Sequence, residues 1–203
     1  MNETEFVLGL TGGIACGKTR AAAHLKKLGA CVIDADEISK DLTSRGGAAL
    51  GDIRAAFGDS VFSDERTLNR EALAEIVFTD EEKRRALEGI LHPAIQNEML
   101  RLMEEARERN EKVIVLDVPL LFETGMDALC DDVWVMTAPK EIQIERIMKR
   151  NGKTRSQAEA RIASQMPLSE KEERAGRVIR TDRPREETEK ELGNLYQELL
   201  KRL

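Results

Sequence analysis

The sequence predicts an α/β fold built on a parallel sheet with helices on both faces. Three observations carry this reading. Short apolar runs alternate with longer helical patterns along most of the chain. A glycine-rich stretch, "TGGIACGKT" at residues 11–19, stands between an apolar run and a helical pattern. Two carboxylates, Asp34 and Asp36, follow the second apolar run, at the sheet edge where open α/β folds bind ligands.

In chain order, residues 5–10 read as a buried strand. Residues 18–28 follow as a helix, with Ala21, Leu25 and Leu28 on one apolar face and Gly29 as its stop. "CVID", Cys31–Asp34, is a short strand. Residues 69–110 are helical, interrupted at "LHP", where Pro93 is expected to end or kink a helix. "VIVLD", Val113–Asp117, is the strongest strand pattern, and "DVWVMT", Asp132–Thr137, is another. "RVI", at 177–179, is a weaker last strand before a helix over 185–203. Strands separated by helices imply βαβ units with right-handed crossovers. The expectation is one domain over residues 1–203. It has two additions to the core, a helical insertion at about 69–110 and a charged segment at about 146–174.

Composition narrows the function. Apolar residues make up 41% of the 203, enough for a packed core. Net charge is -6, which argues against a dedicated nucleic-acid binder. No apolar run approaches ~18 residues, so no membrane span is expected. Three cysteines, Cys16, Cys31 and Cys130, fit neither a disulfide framework nor a zinc site. "MNETEF" lacks the pattern of a signal peptide. A cytoplasmic protein, monomeric or weakly homo-oligomeric, is the resulting expectation.

Gly12-x-x-x-x-Gly17-Lys18-Thr19 matches the P-loop pattern, in its required place between strand and helix. The loop must turn consecutive backbone N–H groups toward phosphate oxygens, and glycine permits that backbone. The helix start adds its positive end. Lys18 reaches the β- and γ-phosphates, and Thr19 offers a hydroxyl to Mg2+. The ATP-binding candidates are therefore Gly13, Ile14, Ala15, Cys16, Gly17, Lys18 and Thr19. Cys16 reads as a small loop residue, although a helix N-terminus can lower a thiol pKa and leave it open to oxidation. Asp34 and Asp36 each suit either proton abstraction from a hydroxyl or water-mediated Mg2+ binding. Asp36 also suits a helix N-cap.

"LTGGIACGKT", "VIDADEI", "LHP" at 91–93, "VPLLFE" at 118–123 and "RIASQMPLSEK" at 161–171 stand in this order along the chain. This ordered set resembles the dephospho-coenzyme A kinase family, over about residues 8 to 180. The resemblance implies a P-loop three-layer sandwich with a helical acceptor-binding insertion and a lid. It implies Mg-ATP-dependent phosphorylation of the ribose 3′-hydroxyl of dephospho-coenzyme A, the last step of coenzyme A synthesis. It further implies Asp36 as the base, with Asp34 supporting Mg2+ or the loop. "LHP" and "VPLLFE" would help form the acceptor pocket, with His92, Pro93 and Leu120 as its residues. Residues 146–171 would be the lid.

Physical chemistry agrees on a lid. Arg146 and Arg150 share a helix face, as do Arg161 and Gln165. Arginines closing over a transferring phosphoryl group stabilise its charge. The ordinary alternative for each is a surface ion pair with Glu145, Glu159 or Glu170. Arg161, inside "RIASQMP", is taken as catalytic beside Lys18 and Asp36, and Arg146 and Arg150 as nucleotide-binding. Asp117 is a second-tier candidate, grouped with the substrate side. It either holds a Walker-B-like position near the metal or ends its strand and orients "VPLLFE". The loop has Ala15-Cys16 where the family usually shows Gly-Ser, and Thr181 stands where Asn is usual, so no adenine contact is assigned there. The alternatives are a kinase of another small hydroxyl acceptor (nucleoside, shikimate or gluconate type) and a nucleotide-dependent switch.

Overall fold

The computed structural model describes residues 5–203. They divide into two compact units, residues 5–34 with 103–203, and residues 35–102.

The first unit holds a five-stranded sheet. In chain order its strands are β1 (Phe6–Gly12), β2 (Cys31–Asp34), β5 (Val113–Asp117), β6 (Asp132–Thr137) and β7 (Arg177–Arg180), arranged β2-β5-β1-β6-β7. Each adjacent pair is parallel. The sequence reading found these strands to within two residues, because strands covered on both faces are continuous apolar runs. One sheet face packs on α1 (Lys18–Lys27) and the last helix, α9 (Arg185–Leu200). Leu8, Leu10, Val115, Trp134 and Met136 meet Leu25, Leu192 and Tyr196 in that core. α1 ends where Gly29 turns left-handed at φ 101 and the Ala30 amide donates back to the Leu25 carbonyl. The parallel register sets Asp34 of β2 beside Asp117 of β5, at the carboxyl edge of the sheet. Between β6 and β7 lie α6 (Lys140–Asn151), α7 (Arg155–Ala163) and α8 (Leu168–Glu173).

The second unit comprises α2 (Ala35–Leu42), α3 (Leu50–Phe57), a small antiparallel pair β3 (Phe62–Asp64) and β4 (Thr67–Leu68), α4 (Arg70–Thr79) and most of α5 (Glu81–Glu108). Its core gathers Leu50, Ile53, Val61, Leu68 and Leu73. Asn69 caps α4, accepting from the Ala72 amide at 3.1 Å.

Two expectations need correction. α5 is not ended at Pro93 but runs through it for 28 residues. The proline removes one hydrogen bond from a long helix. The residue four before it, whose carbonyl a proline ring crowds in a regular helix, is a glycine, where the backbone yields most easily. Asp36 is not an N-cap, because α2 already includes Ala35 and holds Asp36 in its first turn.

Candidate active site

The glycine-rich loop starts where β1 runs out and ends where α1 begins. A Cβ on Gly12 would lie 2.4 Å from the Met136 carbonyl oxygen of the neighbouring strand, so no side chain fits there. Gly17, at φ 85, turns the chain into α1. Ala15 also sits left-handed, at φ 60, a conformation that costs a residue with a Cβ about 1–2 kcal/mol. What holds it there is visible: the Arg146 guanidinium donates to the Ala15 carbonyl at 3.1 Å. The same guanidinium donates to the Thr181 hydroxyl at 2.9 Å and to the Thr181 carbonyl. The Thr181 hydroxyl donates in turn to the Thr137 carbonyl at the end of β6. Arg146 is thus a strut from α6 to the loop.

Cys16 is fully buried within the loop. Burial pushes its thiol up to about 11, outweighing the backbone amides and Arg146, which act to lower it. The lowered pKa that a helix N-terminus offers is therefore not realised, and the thiol is neutral at neutral pH.

Lys18 forms an ion pair with Asp117, whose side chain is 1% exposed, while Lys18 itself is 12% exposed. A buried carboxylate requires a partner, and the loop lysine is positioned to be one. Thr19 is exposed on the first turn of α1, and Asp34 is half-buried at the end of β2. Beside Gly17 a cleft opens, lined by Met136, Arg146, Thr181, Arg183 and Leu192 among others.

The remaining sequence-derived candidates are distributed as follows. Leu120 lies three residues after Asp117 in the turn that follows β5. Arg150, on the last turn of α6, is exposed and donates to the Asn151 side chain. Arg161 is exposed on the last turn of α7, a helix started by a capping box at Thr154 and Gln157. Asp36, exposed on α2, and His92 and Pro93, on α5, belong to the second unit. The Lys18–Asp117 pair and the contacts of Arg146 with Ala15 and Thr181 were not anticipated. Only the end of β5, at the same edge as the loop, hinted at the first, and nothing in the sequence marks the second.

Comparison with known proteins shows the family. Residues 6–187 match the dephospho-CoA kinase family. A dephospho-CoA kinase of Lactobacillus johnsonii is 42% identical over 194 residues, covering 96% of this chain and 98% of its own. One from Geobacillus kaustophilus is 43% identical over 187 residues, covering 92% and 93%. Among solved structures, dephospho-CoA kinase from Campylobacter jejuni superposes with a TM-score of 0.73 at 29% identity, covering 97% of this chain and 98% of that one. Shikimate kinase from Acinetobacter baumannii, at 15% identity and a TM-score of 0.53, shares the fold. A family match over residues 6–187, and relatives matched over nearly their whole length, lead to one conclusion: this chain belongs to the dephospho-CoA kinase family.

Proposed function

We propose that this chain transfers the γ-phosphoryl group of ATP to the ribose 3′-hydroxyl of dephospho-coenzyme A, the final step of coenzyme A synthesis. Family membership supports the reaction, and the Lys18–Asp117 pair at the mouth of the glycine loop is the structural observation that carries it. Amides of residues 14–19 hold the phosphates, and Lys18 leaves Asp117 to meet the β- and γ-oxygens. The cleft beside Gly17 receives the nucleoside end. Arg146 braces the loop, and Arg150 and Arg161 add positive charge as the transferred group passes in line. Asp36 takes the proton of the 3′-hydroxyl as the new O–P bond forms and ADP leaves. His92, Pro93 and Leu120 are proposed as acceptor-binding residues.

Among the described residues, no three His, Cys, Asp or Glu side chains gather as a metal cage. Mg2+ takes most of its oxygens from phosphates and water, and a hydroxyl with nearby carboxylates is the donor chemistry it prefers. Thr19 would supply its hydroxyl, with Asp34 joining through water and its cross-strand neighbour Asp117 adding negative charge. When bound, the ion neutralises phosphate charge. The protein is proposed to act in the cytoplasm as a monomer or weak homo-oligomer. No described helix is long and apolar enough to cross a membrane.

ADP release from ATP, followed with dephospho-coenzyme A, shikimate, gluconate, a nucleoside or no acceptor, tests the reading. Turnover confined to dephospho-coenzyme A is expected. Equal rates with another acceptor, or with none, would sink it. Asp36→Asn should lower turnover ~10²–10⁴-fold with little change in the KM for ATP. A residue with a purely structural role would instead show itself in the melting temperature.

A further inference from the structure

Lys171 is a lysine with no solvent exposure at all. Such burial requires full pairing, and its ammonium has two acceptors. It donates to the Pro119 carbonyl at 3.0 Å and pairs with Glu123 at 2.8 Å. Both acceptors lie in the turn that leaves β5 just after Asp117. The Pro119 carbonyl also accepts from the Thr11 hydroxyl, at 3.1 Å, one residue before the loop. Glu123 accepts from the Met166 amide at 3.1 Å, in the link between α7 and α8. One ammonium therefore joins three pieces of the first unit: the end of β1, the turn that follows Asp117, and the base of the helix pair that carries Arg161.

α8 itself is held close to the loop. A Cβ on Gly13 would lie 3.3 Å from Leu168, which shares the Lys171 face of α8. Glu172 on the same helix accepts from the Thr137 hydroxyl. Lys171 is the buried residue of α8, with Leu168 and Glu172 half-buried beside it.

We propose that Lys171 is a positioning residue for phosphoryl transfer, acting through Pro119 and Glu123. It sets the turn just after Asp117, the resting place of Lys18, and it anchors the α7–α8 link so that Arg161 swings from a fixed base. The proposal rests on the reading that residues 12–19 hold ATP and that transfer to dephospho-coenzyme A follows. Loss of the ammonium leaves the loop able to bind ATP but misplaces the groups around it, so turnover falls and ATP binding does not.

The test uses the full chain with steady-state kinetics, melting curves and circular dichroism on each variant. Lys171→Met keeps the length and removes the charge. Its kcat is expected to fall at least ~10-fold with the KM for ATP within ~3-fold, because a misplaced catalytic group affects the transition state more than the ground state. Lys171→Arg should restore part of the loss. Glu123→Gln, whose side chain is 21% exposed, should fold and show a smaller drop in kcat. The double variant should lose less than the product of the two single losses. A folded Lys171→Met protein with unchanged kcat, or one whose only defect is its melting temperature, overturns the proposal. Should Lys171→Met fail to fold, an unchanged kcat in Glu123→Gln overturns it equally. A wild-type protein inactive on dephospho-coenzyme A would instead overturn the function itself, and this proposal with it.

Discussion

The glycine loop and the charged helices α6–α8 both carry ionic groups, but they treat them oppositely. In the loop, the one cation is nearly enclosed and paired with an enclosed carboxylate. In α6–α8 the charges sort into two rows. Arg146 and Lys171 turn inward and tie α6 and α8 to the loop and to the turn after β5. Arg150, Arg155 and Arg161 face solvent, Arg155 between Glu141 and Glu159. Charge density along a sequence therefore says little about role. What separates a charge that holds the fold from one that does not is whether water has been taken from it.

The hardest way to strain this contrast is Lys18→Ala. Activity should fall at least ~10³-fold, and stability should fall too, by about 1–3 kcal/mol, because Asp117 is left buried without its cation. Lys18→Met combined with Asp117→Asn should recover much of the stability in urea titration and none of the activity. Next comes Arg161→Ala, expected to reduce kcat ~10²-fold with an unmoved melting temperature, as befits an exposed group whose function is transient. Gly12→Ala should cost about 1–3 kcal/mol by overpacking against Met136, read as a lower urea midpoint. A smaller effect belongs to Cys16. Its pKa is raised from 9.0 to about 11, so its contribution is whole below pH 9 and is lost as pH rises towards 11. Cys16→Ser should therefore flatten the alkaline decline in stability over that window. Smallest of all, Arg155→Ala should leave the denaturation midpoint unmoved, since its partners are as exposed as it is.

The sheet was legible because each of its strands is a run with one composition, and the loop because glycine, lysine and hydroxyl must fall at fixed intervals. Family resemblance supplied the substrate. Asp36, Arg161 and His92 were nameable from their motifs alone. Other features were hidden for physical reasons. The strand order, with β1 between β5 and β6, depends on long-range pairing that no local pattern encodes. Continuity of α5 across Pro93 depends on what surrounds one missing hydrogen bond. Lys171 and Arg146 look like any other basic residue in a charged stretch, because burial of a long cation is decided by carbonyls far along the chain, here those of Pro119, Ala15 and Thr181.

The reach of Arg146 has a mechanical consequence. A single flat cation grips residue 15 and residue 181, which stand 166 positions apart in the chain. Removing that one guanidinium would therefore take a hydrogen-bond donor from both stretches at once.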